Sequence, residues 1–176
     1  MSDRRGLVMV LTGDGKGKTT SAFGQALRAV GRGMRVAVVQ FIKGRHDCGE
    51  VLAAARLAPD LEVHVCGAGF VLDPNHPREE DRRGAQEALD LARRLMQDPA
   101  LDMLILDEIN VAADLGLVDA TTLLNLIDGK PPQLHLVLTG RRASAQVIER
   151  ADLVTEMRNV KHPFDRGVRA QPGIEE

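Results

Sequence analysis

Short apolar runs alternate with amphipathic stretches along the whole chain. Six of the runs have the length of β-strands, and the second, Arg35 to Ile42, is apolar on both faces, as is typical of buried parallel strands. The clearest helical periodicity, from about Arg78 to Gln97, places Ala85, Ala88, Leu89, Ala92, Leu95 and Met96 on one face. The predicted strands are 7–11, 35–42, 61–66, 101–106, 135–138 and 153–157. The first predicted helix follows the first strand and its loop and ends at about Val30, and the others are 50–57, 78–97, 119–128 and 144–150. This alternation predicts an α/β fold with a mostly parallel six-stranded sheet and helices on both faces.

A glycine-rich loop, Thr12 to Thr20, separates the first strand from the first helix. Glycines allow successive N–H groups to turn toward an anion, and the positive end of the following helix favours phosphate. In this pattern Lys18 would reach phosphate oxygens, Thr19 would offer its hydroxyl to a Mg²⁺ ion, and Lys16 adds a second cation. The first position is threonine rather than the usual glycine, with Gly13 one place later. The loop predicts a nucleoside-triphosphate site, and a flexible glycine turn is the alternative.

Polar segments follow the end of nearly every predicted strand. In a parallel sheet the carboxyl ends of the strands meet at one edge, where ligands bind. We therefore expect these segments to form one site: the glycine loop, 40–44, 67–72, 107–110, 139–142 and 158–167.

Two carboxylates, Asp107 and Glu108, follow the fourth strand directly. Oxygen ligands of this kind suit a Mg²⁺ or Mn²⁺ ion shared with nucleotide phosphates, and which carboxylate would bind directly is open. The alternative is a helix N-terminus with two favourable acids. Arg28 and Arg141 could neutralise a triphosphate or a second anionic substrate, or be ordinary surface arginines.

Composition excludes several classes of function. The 176 residues carry 23 Lys and Arg against 25 Asp and Glu, and Tyr and Trp are absent, so neither a nucleic-acid partner nor a membrane surface is expected. The length suits one domain over residues 1–176. The two cysteines show no framework spacing and no apolar run approaches spanning length, which indicates a reducing, cytoplasmic location.

Over nearly its whole length the chain resembles the P-loop type ATP:cob(I)alamin (corrinoid) adenosyltransferases. The most specific matching segments are Thr139-Gly140-Arg141 and the tail from Val160 to Gly167. The other matching segments are 12–20, 26–31, 38–44, 67–70, 106–110, 151–157, 170–171 and 173–175.

The resemblance implies a P-loop, RecA-like fold and an enzyme of adenosylcobalamin synthesis or salvage. It would transfer the 5′-deoxyadenosyl group of ATP to the Co(I) of cobalamin or cob(I)yrinic acid a,c-diamide and release triphosphate. Lys18 and Glu108 are then the catalytic residues, and Thr19, Asp107 and Glu108 the metal ligands. The implied ATP-binding residues are Gly13, Asp14, Gly15, Lys16, Gly17, Lys18, Thr19, Thr20, Arg28 and Arg141.

The resemblance also implies a corrinoid contact after the third strand. Phe70 matches an aromatic residue that acts below the corrin ring, where it displaces the lower axial ligand of cobalt, and Leu72 stands where a known member has tryptophan. Leucine excludes water but offers no ring face. A flavoprotein reductase and a second copy of the chain, in a homodimer, are the implied partners.

Two other classes of function fit part of the pattern. A P-loop kinase or ATP-driven motor would release ADP instead of triphosphate. A regulatory or carrier module would bind ATP and corrinoid without forming a cobalt–carbon bond.

Overall fold

A computed structural model describes residues 5–69, 73 and 76–175. The strands are β1 Val8–Thr12, β2 Val36–Gln40, β3 Leu61–Val65, β4 Met103–Asp107, β5 His135–Thr139 and β6 Leu153–Glu156. The helices are α1 Lys18–Val30, α2 Gly49–Ala54, α3 Glu79–Met96, α4 Ile109–Asp114, α5 Ala120–Asp128 and α6 Ala145–Arg150, with 3₁₀ turns at Ala55–Leu57 and Pro163–Arg166. Phe70 and Leu72, the expected corrinoid contacts, lie outside the described residues.

The six strands form one sheet in the order β3-β2-β4-β5-β1-β6, and every neighbouring pair is parallel. The predicted α/β fold is confirmed. Because β5 lies between β1 and β4, the strand before the glycine loop and the strand that ends in Asp107 are not neighbours. Any contact between them is made through β5 or across the loops.

Helices cover both faces of the sheet, and the side chains of each strand alternate between two apolar clusters. In β4, Met103 and Ile105 pack in the cluster formed with α1 and Ala54 of α2. Leu104 and Leu106 pack on the opposite face with α3, α4, α5 and α6. This alternation explains why the central strands carry apolar side chains on both faces.

The boundaries differ from the predicted ones in two places that matter for the site. Strand β4 includes Asp107, so this carboxylate belongs to the sheet rather than to the loop after it. The short helix α4, which follows Glu108, was expected only as the alternative interpretation of the two carboxylates, a helix N-terminus. Among the described residues no helix is long and apolar enough to cross a membrane.

Candidate active site

Each of the four central strands ends in a buried polar residue at the same edge of the sheet. Strand β1 ends at Thr12, β2 at Gln40, β4 at Asp107 and β5 at Thr139, and all four are buried. Strand register aligns Gln40 with Asp107 and Leu11 with Thr139. Buried polar side chains need partners, so their clustering predicts a hydrogen-bonded network under the glycine loop.

The glycine loop follows β1, and the start of the tail packs against it. Gly13 (φ 92°) and Gly17 (φ 118°) have backbone conformations that favour glycine. A Cβ atom on Gly13 would overlap the carbonyl oxygen of Met157, and one on Gly15 would lie 2.8 Å from the carbonyl of Arg158. The N–H of Gly15 donates to the Met157 carbonyl at 2.6 Å. The glycines therefore allow the tail to approach the loop, a contact that spacing alone did not reveal.

Lys18 folds back under the loop at the start of α1. Its ammonium group donates to the carbonyl oxygens of Gly13 and Gly15, both at 2.7 Å, and the residue is only 7% exposed. Burial lowers the pKa of Lys18; Glu108 opposes this effect and Arg141 adds to it. Lys18 is thus held beneath the loop, within the electrostatic reach of Glu108 and Arg141.

Asp107 is the centre of the polar network. Its Oδ1 accepts hydrogen bonds from the hydroxyls of Thr19 and Thr139, each at 2.8 Å, and its Oδ2 accepts one from the amide of Gln40 at 3.1 Å. The Thr139 oxygen in turn accepts a bond from the N–H of Glu108 at 2.9 Å. Through these bonds the first turn of α1 is connected to the ends of β2, β4 and β5.

Glu108 joins β4 to α4 in a left-handed conformation with φ 63°. Only a few per cent of residues other than glycine have a positive φ, and such strain is found preferentially at functional sites. Burial and then the adjacent Asp107 raise the pKa of Glu108, while Lys18, Lys43 and Arg141 act in the opposite direction. The Glu108 carboxyl is thus within the electrostatic reach of three cations at the edge of the sheet.

Lys43, just beyond β2, adds a cation that the sequence placed in a strand-end segment without assigning it a role. Its Nζ donates to Glu50 Oε1 at 2.9 Å and lies 3.5 Å from Asp107 Oδ2. Burial lowers the pKa of Lys43, but the carboxylates of Asp107 and Glu50 outweigh that effect and raise it. One sequence signal could have identified three of these residues: Gln40 and Thr139 each end an apolar strand, and Lys43 follows one.

Other predicted residues lie around this network or away from it. Asp14, Lys16 and Thr20 are exposed on the loop and the start of α1. Arg28 is exposed on the last turn of α1, about 15 Å along the helix from Lys18, and its guanidinium lies 3.5 Å from the Gln25 side chain. The structure therefore brings Lys18, Thr19, Asp107 and Glu108 together, with Arg141 nearby, and leaves Arg28 apart from them within this chain.

The oxygen donors of the network suit a hard cation such as Mg²⁺. Thr19, Asp107 and Glu108 offer hydroxyl and carboxylate oxygens, and Gln40 Oε1 is buried with no hydrogen-bond partner among the described residues. Within the same residues no group of three or more His, Cys, Asp or Glu side chains could hold a metal alone.

Comparison with known proteins gives a consistent family. A family model described as "ATP:corrinoid adenosyltransferase BtuR/CobO/CobP" matches residues 4–175. The corrinoid adenosyltransferase of Pseudomonas aeruginosa is 43% identical over 98% of this chain and 85% of its own length. Those of Escherichia coli K12 and Salmonella typhimurium are 42% and 39% identical, each over 98% of this chain and 87% of their own length.

A solved structure resembles the fold. The flagellar accessory protein FlaH from Methanocaldococcus jannaschii superimposes with a TM-score of 0.55 over 87% of this chain and 71% of its own, at 12% identity. At that identity the similarity concerns the fold alone.

Proposed function

The chain belongs to the ATP:corrinoid adenosyltransferase family, and on that premise we propose that its reaction takes place over the glycine loop and the Asp107 network. The observation that carries this proposal is the position of Lys18, buried against the loop carbonyls and within reach of Glu108 and Arg141. A loop of inward N–H groups with a lysine beneath it suits a polyphosphate.

The bond that breaks is the one between C5′ of the ribose and its oxygen. The electron pair of Co(I) attacks C5′, the C5′–O electron pair leaves with triphosphate, and cobalt is oxidised formally to Co(III). The nucleophile needs no proton removed, so the site needs no general base, and its task is to stabilise the leaving triphosphate. We assign that task to Lys18, the loop N–H groups, Lys16 and Arg141.

We propose that Thr19, Asp107 and Glu108 hold a divalent cation when ATP is bound. Such an ion, Mg²⁺ or Mn²⁺, would supply further positive charge to the leaving triphosphate. Asp107 already accepts hydrogen bonds from two threonine hydroxyls and one amide. Its part in holding the ion would therefore be to orient the Thr19 hydroxyl. Glu108, next to it and close to Lys18, is the candidate for direct contact.

The corrinoid is proposed to contact the segment after β3. Gly67 to Gly69 pack against the end of β2, which places the start of this segment beside Lys43. Roles for Phe70 and Leu72 rest on the family resemblance, as do a flavoprotein reductase partner and a homodimer.

A product assay tests this function. Chemically reduced cobalamin mixed with ATP and Mg²⁺ should lose its Co(I) absorbance and yield triphosphate in equal amount. Release of ADP would instead favour a kinase or motor. Binding of both substrates with no cobalt–carbon bond would favour a carrier module.

A further inference from the structure

The carboxylate of Asp107 accepts three hydrogen bonds and has one ammonium group beside it. A carboxylate has about four lone-pair sites. Here Oδ1 accepts from two hydroxyls, and Oδ2 faces the Gln40 amide at 3.1 Å and the Lys43 ammonium at 3.5 Å. Asp107 is fully buried, and its pair with Lys43 is the one ion pair recorded for it among the described residues.

Lys43 is held in place at both its side chain and its backbone. Glu50, in the first turn of α2, accepts from its Nζ at 2.9 Å. On the next residue, a Cβ atom on Gly44 would lie 2.8 Å from the backbone of Ala68 and of Gly69, and the Gly69 N–H donates to Ile42 at 3.0 Å. Two loops thus meet backbone to backbone around Lys43, so its ammonium is a fixed part of the site.

We propose that Lys43 is a positioning residue that acts through Asp107: it is the internal counter-ion of the carboxylates and keeps a divalent cation from binding before the nucleotide arrives. The inference rests on the proposed metal role of Asp107 and Glu108. If Lys43 were removed, no cation would lie between the carboxylates of Asp107 and Glu50. The site beside Glu108 would then carry one more uncompensated negative charge. With Lys43 in place, the metal enters with the phosphates, which supply the negative charge that Lys43 cancels.

The test is Mn²⁺ binding to the nucleotide-free protein, measured by electron paramagnetic resonance. Lys43→Met should bind Mn²⁺ about tenfold more tightly than wild type or better, because a unit charge a few ångströms from a divalent ion is worth at least that factor inside a protein site. Lys43→Arg should restore the weak binding of wild type. Equal Mn²⁺ affinity in wild type and Lys43→Met would overturn the proposal.

Two further variants separate a local ion pair from a general charge effect and from loss of fold. Lys16→Met also removes one positive charge from the site, but Lys16 is exposed, and it should change Mn²⁺ affinity much less than Lys43→Met does. Glu50→Gln should shift affinity the opposite way, toward weaker binding, since Lys43 then faces Asp107 alone. Tightening in Glu50→Gln would contradict the proposal even if Lys43→Met fails to fold. Where Lys43→Met folds, equal tightening in Lys16→Met would contradict it as well.

A parallel measurement distinguishes failure of this inference from failure of the proposed function. MnATP binding by calorimetry should be weakened by Asp107→Asn if the carboxylate serves the metal. If Asp107→Asn has no effect, the metal role itself is wrong. If it weakens binding while Lys43→Met leaves Mn²⁺ affinity unchanged, only the counter-ion role of Lys43 is wrong.

Discussion

At the scale of single residues, the site depends on how Lys18 is held. Its two bonds to loop carbonyls keep the ammonium beneath the loop before any ligand binds, so little reorganisation is needed when phosphates arrive.

We expect Lys18→Ala to lower kcat about 100-fold or more, because one preorganised donor to a developing negative charge is worth that much. Adenosylation of pre-reduced cobalamin, followed by the loss of Co(I) absorbance, measures it. Lys16→Ala, on the exposed side of the same loop, is the matched control and should lose less. Comparable rates for Lys18→Ala and wild type would remove the loop from the mechanism.

The sequence predicts some site residues and not others for a physical reason. Lys18 and Thr19 belong to one contiguous loop, and Asp107 and Glu108 are adjacent, so spacing alone identifies them. Thr139 and Gln40 fall within the strand-end segments expected at the site, but their bonds to Asp107 depend on strand pairing, which brings them together from 32 and 67 positions away. Spacing along the chain carries no information on such contacts until the strand order is known.

At the scale of elements, α3 begins with a cap that its sequence disguises. The run 78–83 is charged at every position, a composition typical of a solvated helix face, yet Asp81 is only 4% exposed. Its carboxylate accepts from the backbone N–H of Arg78 at 2.9 Å and from the Arg78 guanidinium at 2.7 and 3.0 Å. Asp81 is therefore a buried capping residue and not part of a solvated face.

The hydrogen bonds from Arg78 lower the pKa of Asp81. A lowered carboxyl pKa contributes stability above the unfolded-state value, near pH 4, and that contribution is lost as pH falls through the folded-state pKa. Asp81→Asn should therefore cost about 1–2 kcal/mol of unfolding free energy at neutral pH and progressively less in acid. Urea unfolding at several pH values measures this loss.

Asp90→Asn, in an exposed pair with Arg93, is the control and should cost about 0.5 kcal/mol of unfolding free energy or less. Equal losses of unfolding free energy in the two variants would contradict a special role for Asp81.

Two helical glycines give opposite predictions for the same substitution. Gly84 of α3 lies against β3's end, where an added Cβ would be 2.6 Å from the carbonyl oxygen of Cys66, whereas nothing lies within 4 Å of a Cβ on Gly24 of α1. Gly24→Ala should raise the free energy of unfolding by about 0.5–1 kcal/mol, because alanine favours the helix more than glycine does. Gly84→Ala should lower the free energy of unfolding, because the steric overlap outweighs the same gain in helix propensity. Thermal unfolding of both variants checks this, and a stabilised Gly84→Ala would show that α3 does not pack as described.

Helix boundaries follow the sequence closely where a capping or stop signal marks them and poorly where none does. Helix α5 begins after Asp119, whose side chain accepts from the Thr122 N–H at 2.9 Å, as its capping residue predicts. Helix α4 is only six residues long and begins at a left-handed glutamate, a start that no capping rule describes.

At the scale of the whole molecule, one edge of the sheet holds the polar network and both faces hold apolar clusters. The alternation of strands and helices predicts this layered fold. It does not predict the strand order β3-β2-β4-β5-β1-β6, in which β5 lies between β1, which precedes the glycine loop, and β4, which ends in Asp107. That order places Thr139 where it can bond both Asp107 and Glu108.

If the loop binds triphosphate as a unit, inorganic triphosphate with Mg²⁺ should stabilise the whole fold. At a concentration of about 100 times its dissociation constant the gain is about 2.7 kcal/mol, and the midpoint of thermal unfolding rises accordingly. Lys18→Ala should lose most of this shift, whereas Gly24→Ala should keep it. An equal shift in Lys18→Ala and wild type would place the triphosphate elsewhere.

The central claim is that the enzyme breaks the bond between carbon and oxygen rather than one between phosphorus and oxygen. ATP labelled with oxygen-18 at the 5′ bridging position tests it directly, by mass spectrometry of both products after reaction with Co(I) cobalamin. The account predicts that all of the label leaves with triphosphate and none remains on the adenosyl group. Label retained on the 5′ carbon, with phosphate or diphosphate released, would contradict it.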